Sequence, residues 1–441
     1  MEPTRLRLGI RREDKNRWEK RVPLTPSHVR ALVQDGFDVR VQPSGLRAFA
    51  DDAYAAAGAR LVDDLSSCPI VMGVKEIPVD QLAAGKTYVF FSHTVKGQAH
   101  NMPMLRRLMD LRCSLVDYER VVDRSKRRLI FFGRHAGLAG TVETLRALGQ
   151  RWRAMGIETP FAQLSPAYEY GGLAAALAHM KTVGAAIREH GLPTACCPLV
   201  IGVAGYGNVA QGVAEMMAPL HPVDAAPAEL STLPRGDGQT VYRVVFREED
   251  MVRRRDGAFN LAEYYEAPQH YRGVFEQYLP HLTVLVNAIY WTPKYPVLVS
   301  LDAVRALYGS NAAPPRLQVL GDITCDIGGA IACTVRATEP DNPVYVWEPK
   351  TGATVDGVIG DGPVVMAVDN LPCEFPVEAS EDFGRGLLPF VPSLIRAADA
   401  GLTRSALDSG TLPEEIAQAV IVAGGELAPS YQYLAKAVED S

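Results

Sequence analysis

The chain has 441 residues, 47% hydrophobic and 22% charged, the composition of a globular protein too long for one ordinary core, so two domains are expected. A formal net charge of −6 argues against nucleic acid as the main partner, and no apolar run reaches the ~20 residues of a membrane-spanning helix. Seven scattered cysteines (Cys68, Cys113, Cys196, Cys197, Cys325, Cys333, Cys373) without a CxxC pair fit reduced thiols, and MEPTRLRLGIRRED lacks a signal-peptide apolar region, so a cytoplasmic setting is expected.

Strand-like and helix-like segments alternate from the start. LRLGI is followed by a helix over TPSHVRALVQDG, with Thr25 as N-cap, Pro26 at the first helical position and Gly36 as the stop. FDVRVQ completes a βαβ unit, and CPIVMGV, TYVFF and CSLVDY continue as buried strands. Helices are expected from about Ala136 through GLAGTVETLRALGQRWRAM and over GGLAAALAHMKTVGAAIREHG. PLVIGVAGYGNVAQGVAEMM opens a second α/β unit, to which TVLVNAIYW, LQVLGDIT and VVMAVDN add strands. Residues 221–256 read as a polar, irregular insertion after a short strand, and 380–441 read as helical. The expected fold is α/β: two Rossmann-like, doubly wound parallel-sheet domains with the active site in an interdomain cleft. Residues 1–133 with 365–441 form a substrate domain, and 134–364 a dinucleotide-binding domain.

Gly205-Tyr206-Gly207-Asn208-Val209-Ala210 fits G-x-G-x-x-A between an apolar strand and an amphipathic helix, the context of a dinucleotide fingerprint. Gly205 allows the tight turn, Gly207 lets a pyrophosphate approach the helix N-terminus, and Gly212 is expected to pack the helix closely on the strand. An NAD site places Asp or Glu at the end of the second strand, ~20 residues on. Here Asp224 sits early and the strand end reads Ala225-Ala226. That leans towards NADP, with Arg235 or Arg243 as phosphate partners; with Asp224 as ribose ligand the cofactor is NAD.

Titratable groups recur just beyond strand-like runs. Arg11 and Arg12 follow LRLGI, Lys75-Glu76 follow VMGV, His93 and Lys96 follow YVFF, and Asp117 and Glu119 follow SLV. If these strands are parallel neighbours, the groups converge at one edge, where open α/β sheets bind ligands. The cations Arg11, Lys96 and Arg128 suit a ligand with several carboxylates. Glu76 and Glu119 suit an ammonium group or tune Lys75, and Lys75 and His93 suit acid–base work. The combination points to an amino- or imino-acid dehydrogenase. No metal is implied, because neither His nor Cys shows ligand spacing.

IRREDKNRWEKRVPLTP, VMGVKEIP, FFSHTVKGQ, VDYE, RRLIFFGRHAGLAG, VNAIYW, GDITCDIGG and VDNLPCEFPVEAS occur in this order. Together they resemble the lysine-forming saccharopine dehydrogenases and the lysine–2-oxoglutarate reductase half of aminoadipic semialdehyde synthase, a family similar in architecture to alanine dehydrogenase and transhydrogenase. The resemblance runs from about residue 5 to about 437, and the glutamate-forming half of the bifunctional enzyme has no counterpart in it. It implies that Lys75 and His93 are the acid–base pair and that Glu76 and Glu119 are active-site glutamates. Arg11, Lys96 and Arg128 would bind carboxylates, and Asp322, with Asp326 second, would lie near nicotinamide and substrate. Asn287 and Ile289 of VNAIYW join the fingerprint residues and Asp224 as expected cofactor contacts. The GYGNVAQG loop is closer to the NADP-using reductases, whereas Glu76 follows the fungal Lys-Glu pattern. His135 carries no assigned role.

The implied reaction joins the ε-amine of lysine to the keto carbon of 2-oxoglutarate, with NADP(H) preferred over NAD(H), to give saccharopine, or runs in reverse. The expected partners are these small molecules, with no nucleic acid and no membrane, and an oligomer is compatible. The alternatives are an opine-type reductase for another amine and keto acid, deamination with free ammonia, and a nucleotide-binding protein without catalysis.

Overall fold

A computed structural model describes residues 6–234, 236, 238–309 and 315–441. The chain forms two units, Met1–Phe132 with Pro376–Ser441, and Gly133–Phe375.

Six strands open the first unit: β1 (Arg7–Ile10), β2 (Asp38–Val41), β3 (Arg60–Leu61), β4 (Ile70–Met72), β5 (Thr87–Phe90) and β6 (Ser114–Asp117). Between β1 and β2 lies the helix Pro26–Gln34, which buries Val29 and Leu32. His28 Nδ1 accepts from the Thr25 backbone N–H at 3.2 Å, and Gly36 closes the helix end at φ 92°. The strands are parallel, in the order β6-β5-β4-β1-β2-β3. Their side chains alternate between two cores. Leu8, Ile10, Met72 and Val89 enter one, and Val71, Tyr88, Phe90 and Leu115 the other.

The second unit contains β7 (Leu199–Ala204), β8 (Val223–Asp224), β9 (Val241–Phe246), an antiparallel pair β10 (Val252–Arg254) and β11 (Tyr271–Gly273), then β12 (Val284–Asn287), β13 (Val319–Asp322), β14 (Val344–Trp347), β15 (Thr354–Asp356) and β16 (Val364–Met366). The large sheet runs β15-β14-β16-β13-β12-β7-β9-β8, parallel from β16 to β8, with β14 and β15 antiparallel. Residues 241–246 lie inside the stretch expected to be irregular, yet VYRVVF is the strand beside β7. Its exposed polar flanks masked an apolar alternation whose buried positions are Val241, Val244 and Phe246. The helix Asn208–Met217 crosses the helix Gly133–Ala154 with backbones nearly touching. A Cβ on Gly212 would lie 2.0 Å from the Arg134 carbonyl oxygen, and one on Gly137 2.0 Å from that of Val209. Gly212 therefore serves helix–helix packing and not, as expected, packing on the strand.

The chain re-enters the first unit at Pro376, later than the expected 365, because Val364–Met366 pairs with β13. The return is not wholly helical. It adds β17 (Val420–Ala423) antiparallel to β6, and β18 (Glu426–Leu427) beyond it. The VIVA run is fully buried at that sheet edge, a strand signal too short to outweigh its helical surroundings. Among the described residues no helix is long and apolar enough to cross a membrane.

Candidate active site and dinucleotide groove

In the first sheet the chain leaves β1 towards β2 on one side and β4 on the other, so the strand order reverses between β1 and β4. Ligands of open α/β sheets bind beyond the carboxyl ends at such a reversal. The register levels those ends: Ile10 opposes Met72, Met72 opposes Val89, and Phe90 opposes Asp117. The ladder continues one step, with Arg11 N–H donating to Met72 O and Phe91 N–H to Val74 O, both at 3.0 Å. Lys75-Glu76 and His93 thus leave adjacent parallel strands at the same height.

Glu76 joins them. Its Oε1 lies 2.5 Å from His93 Nδ1 and its Oε2 2.7 Å from Lys15 Nζ. Burial raises the Glu76 carboxyl, but the bond to His93 and the Lys15 charge outweigh it and hold the group at about 2. His93 has φ 51°, a left-handed conformation that a non-glycine residue adopts at a cost of about 1–2 kcal/mol. Asn101 Nδ2 holds the strained peptide by donating to His93 O at 3.0 Å. Burial lowers the Lys75 amine, the Arg21 charge lowers it further, and Glu19 and Glu76 oppose them. A neutral amine is thereby more accessible near pH 7 than for an exposed lysine.

Four residues here were not expected, all from the loop after β1. Glu13 accepts the N–H groups of Val74 at 2.7 Å and Lys75 at 3.0 Å, and burial lifts its carboxyl to about 7. Arg21 and Glu19 form a buried two-point ion pair, at 2.8 and 2.5 Å, with the guanidinium 4.2 Å over the Phe132 ring. Lys15 is the fourth. The signal was the alternation of acid and base in EDKNRWEKR between a strand and a helix N-cap.

The other expected residues are more dispersed. Arg11 is buried, with its guanidinium 2.9 Å from Asp14 and 3.1 Å from Gln81 Oε1. It lines a separate cavity of about 250 Å³ with Gln42, Lys86 and Tyr88. Arg12 and Lys96 are exposed. Glu119 pairs with the exposed Arg128. Asp117 is buried and accepts from the N–H groups of Ser92 at 3.0 Å and Glu119 at 2.7 Å, so it ties the ends of β5 and β6 together.

In the second sheet the order reverses between β7 and β12, and the glycine loop lies there. Gly205 has φ 100°, and a Cβ on it would meet Ala288 O and Ile289 Cγ2, each at 3.0 Å. Gly207 precedes the helix Asn208–Met217, and a Cβ on it would meet nothing within 4 Å. That open approach to N–H groups at a helix start suits a pyrophosphate, so the residues present fit a dinucleotide. A groove of about 340 Å³ runs from this loop along Glu248, Met251, Tyr264, Ile289 and Trp291. Asn208 and Val209 form the first helical turn. Asn287 Nδ2 donates to Asp322 Oδ1 and to Thr324 Oγ1, both at 2.9 Å. Asp322 is buried and also accepts from Thr334 Oγ1 at 2.6 Å, and burial raises its carboxyl despite these donors. It anchors the ends of β12 and β13, while Asp326 is the exposed acid of its segment.

The strand end used to weigh the cofactor requires correction. Asp224 and Ala225-Ala226 lie at the sheet edge, and β9 intervenes between β8 and β7. Asp224 holds its cross-strand neighbour Arg243 in a two-point ion pair at 2.6 and 2.9 Å. Arg235 falls outside the described residues. The strand end beside the glycine loop is that of β9, where Gly205 N–H donates to Phe246 O at 3.0 Å.

A family model, Alanine dehydrogenase/PNT, N-terminal domain, matches residues 9–139. Alpha-aminoadipic semialdehyde synthase of Arabidopsis thaliana is 39% identical over 97% of this chain and 41% of its own length. The mitochondrial enzyme of that name from Mus musculus is 33% identical over 97% of this chain and 47% of its own. This chain thus spans a little under half the length of these relatives. Saccharopine dehydrogenase [NAD(+), L-lysine-forming] of Yarrowia lipolytica is 26% identical over 87% of this chain and 91% of its own length. An L-alanine dehydrogenase structure superposes with a TM-score of 0.63 at 21% identity, covering 98% of this chain and 99% of the other. The transhydrogenase of Sinorhizobium meliloti gives 0.56 at 15%, covering 96% and 100%. These two likenesses show the two-domain Rossmann-like α/β fold. The chain carries the alanine dehydrogenase/PNT N-terminal domain and is a homologue of the alpha-aminoadipic semialdehyde synthases and lysine-forming saccharopine dehydrogenases, as its ordered motifs implied.

Proposed function

We propose that this protein is a nicotinamide-dependent oxidoreductase of lysine metabolism that condenses L-lysine with 2-oxoglutarate reductively to saccharopine, and runs the reverse. The observation that carries the reading is the Lys75–Glu76–His93 cluster at the β1/β4 reversal, in a chain homologous to enzymes named for this chemistry. When bound, a reduced nicotinamide supplies the hydride that the imine carbon receives.

The chain's own groups handle protons. As the lysine ε-amine adds to the keto carbon, the nitrogen gives up a proton and the keto oxygen becomes a hydroxyl. His93 serves the nitrogen. Its Nδ1 is engaged by Glu76, which leaves Nε2 for proton transfer. Lys75 serves the oxygen, donating the proton with which the hydroxyl departs as water, and burial, which lowers its amine, makes that proton easier to give. Glu13 holds the Lys75 backbone in place. Arg11, Lys96 and Arg128 are the cations proposed to meet substrate carboxylates, and Glu119 an ammonium group. A cytoplasmic location belongs to the same proposal, although the Mus musculus relative is named mitochondrial.

The test is loss of absorbance at 340 nm with lysine, 2-oxoglutarate and either NADPH or NADH. Oxidation that requires both substrates, and that falls at least a hundredfold in both Lys75→Met and His93→Gln, is expected. Turnover left intact in both variants would end the acid–base assignment. Oxidation only with another amine and keto acid would replace the substrates.

A further inference from the structure

We propose that Arg247 reads a 2′-phosphate on the adenosine ribose, so that the second unit selects NADP(H) over NAD(H). This rests on the dinucleotide reading of the groove and adds to it which cofactor is taken and by which side chain.

The first argument is topological. The residue that meets the adenosine ribose follows the strand next to the one bearing the glycine turn. That strand is β9, bonded to the turn through Gly205 N–H and Phe246 O, and the residues that follow it are Arg247 and Glu248. The second argument is availability. Arg243 is committed to Asp224 by two bonds. Arg247 is exposed, its guanidinium lies 4.6 Å over the ring of Tyr206 within the glycine loop, and it makes no ion pair among the described residues. A guanidinium held over an aromatic ring by cation–π attraction still has N–H donors for a phosphate.

The third argument concerns Glu248, which lines the groove and follows β9 where the carboxylate of an NAD site would bind a ribose diol. Both its oxygens are engaged: Oε2 accepts the Tyr206 hydroxyl at 3.1 Å and Oε1 the Tyr265 hydroxyl at 2.5 Å. A diol would have to displace two phenols. A 2′-phosphate needs neither displaced, and it finds the Arg247 guanidinium one residue away. Met251, Val252, Tyr264 and Leu298 supply an apolar wall for the purine in the same groove.

Isothermal titration of the full chain with 2′,5′-ADP and with 5′-AMP tests this without turnover. The wild type is expected to bind 2′,5′-ADP about ten- to a hundredfold more tightly than 5′-AMP, the worth of charge-assisted bonds to one phosphate. Arg247→Leu should erase that preference while leaving 5′-AMP affinity within about twofold. Arg247→Lys should keep part of the preference, and Glu248→Gln all of it. Equal binding of the two fragments by the wild type, or a preference that survives in Arg247→Leu, would overturn the assignment and leave the dinucleotide site standing. Binding of neither fragment nor of either intact reduced dinucleotide would overturn the groove reading as well.

Discussion

Glu13→Gln separates two opposed effects at the base of the Lys75 loop. The Glu13 carboxyl is buried and lifted from 4.5 to about 7, chiefly by loss of water, against the pull of Arg11 and of the Val74 and Lys75 amides. Below pH 4.5 the group is protonated in both folded and unfolded chains, and its contribution is fully present. Between 4.5 and about 7 the unfolded chain releases the proton first, so stability falls as pH rises, and above 7 the loss is complete. At 1.36 kcal/mol per pH unit the loss is roughly 3 kcal/mol. Glutamine cannot ionise, but it keeps only one acceptor for two N–H groups, a cost of about 1 kcal/mol at every pH. The variant should therefore be less stable than wild type at pH 4.5 by about 1 kcal/mol and more stable at pH 8 by about 2 kcal/mol, with a crossing between. Urea unfolding at pH 4.5, 6 and 8 measures this, with hydrogen exchange of the β1 and β4 peptides assigning the transition to the first unit. A difference that does not move with pH, or that favours wild type increasingly as pH rises, would refute the reasoning. It would mean that Arg11 and the two amides keep Glu13 ionised.

Glu76 gives the opposite sign. Its carboxyl is lowered to about 2, so its stabilisation is present above pH 4.5 and is lost as pH falls through 2. Acid unfolding of Glu76→Gln should lack that dependence, and equal acid profiles would contradict the ion pair. Gly212→Ala places a methyl 2.0 Å from the Arg134 carbonyl oxygen and should cost about 3 kcal/mol or more in thermal unfolding of the second unit, so an unchanged Tm would exclude the close helix crossing. Gly205→Ala forces a side chain into φ 100° against Ala288, and isothermal titration should show nicotinamide dinucleotide binding weakened at least tenfold, or the turn is not where the cofactor sits. Glu374 is buried beside Glu143, and burial with the neighbouring carboxylate raises its carboxyl well above the ordinary range, so the uncharged Glu374→Gln should stay within about 1 kcal/mol of wild type, whereas Glu374→Ala should cost about 2–4 kcal/mol. Equal losses in urea unfolding would show that hydrogen bonding, not volume, is what the site loses.

Local rules decided much of this protein from the chain alone. The apolar runs at β1, β4, β5, β6, β7 and β12 are short, continuous and bounded by turn residues, so they read as buried parallel strands. Gly205 needs a positive φ and Thr25-Pro26 opens a helix because of each residue's own covalent geometry. Lys75, Glu76 and His93 stood out because titratable groups recur beyond four successive strand-like runs, and the level register of β1, β4 and β5 brings them to one sheet end. What neighbours what was settled only in three dimensions. VYRVVF looked like loop because its alternation is interrupted by charge, yet it displaced the strand ending in Asp224 from the side of β7 and put Arg247 and Glu248 after the strand next to the glycine turn. The contacts of Arg11 with Asp14 and Gln81 were likewise invisible in the sequence, since a buried cation takes the nearest anion that folding supplies. Glu13, Glu19 and Arg21 acquired their relation to Lys75 the same way. Strand and helix formation follow from side chains a few residues apart, whereas strand order, burial and charge pairing depend on residues separated by tens of positions, which only the packed chain brings together.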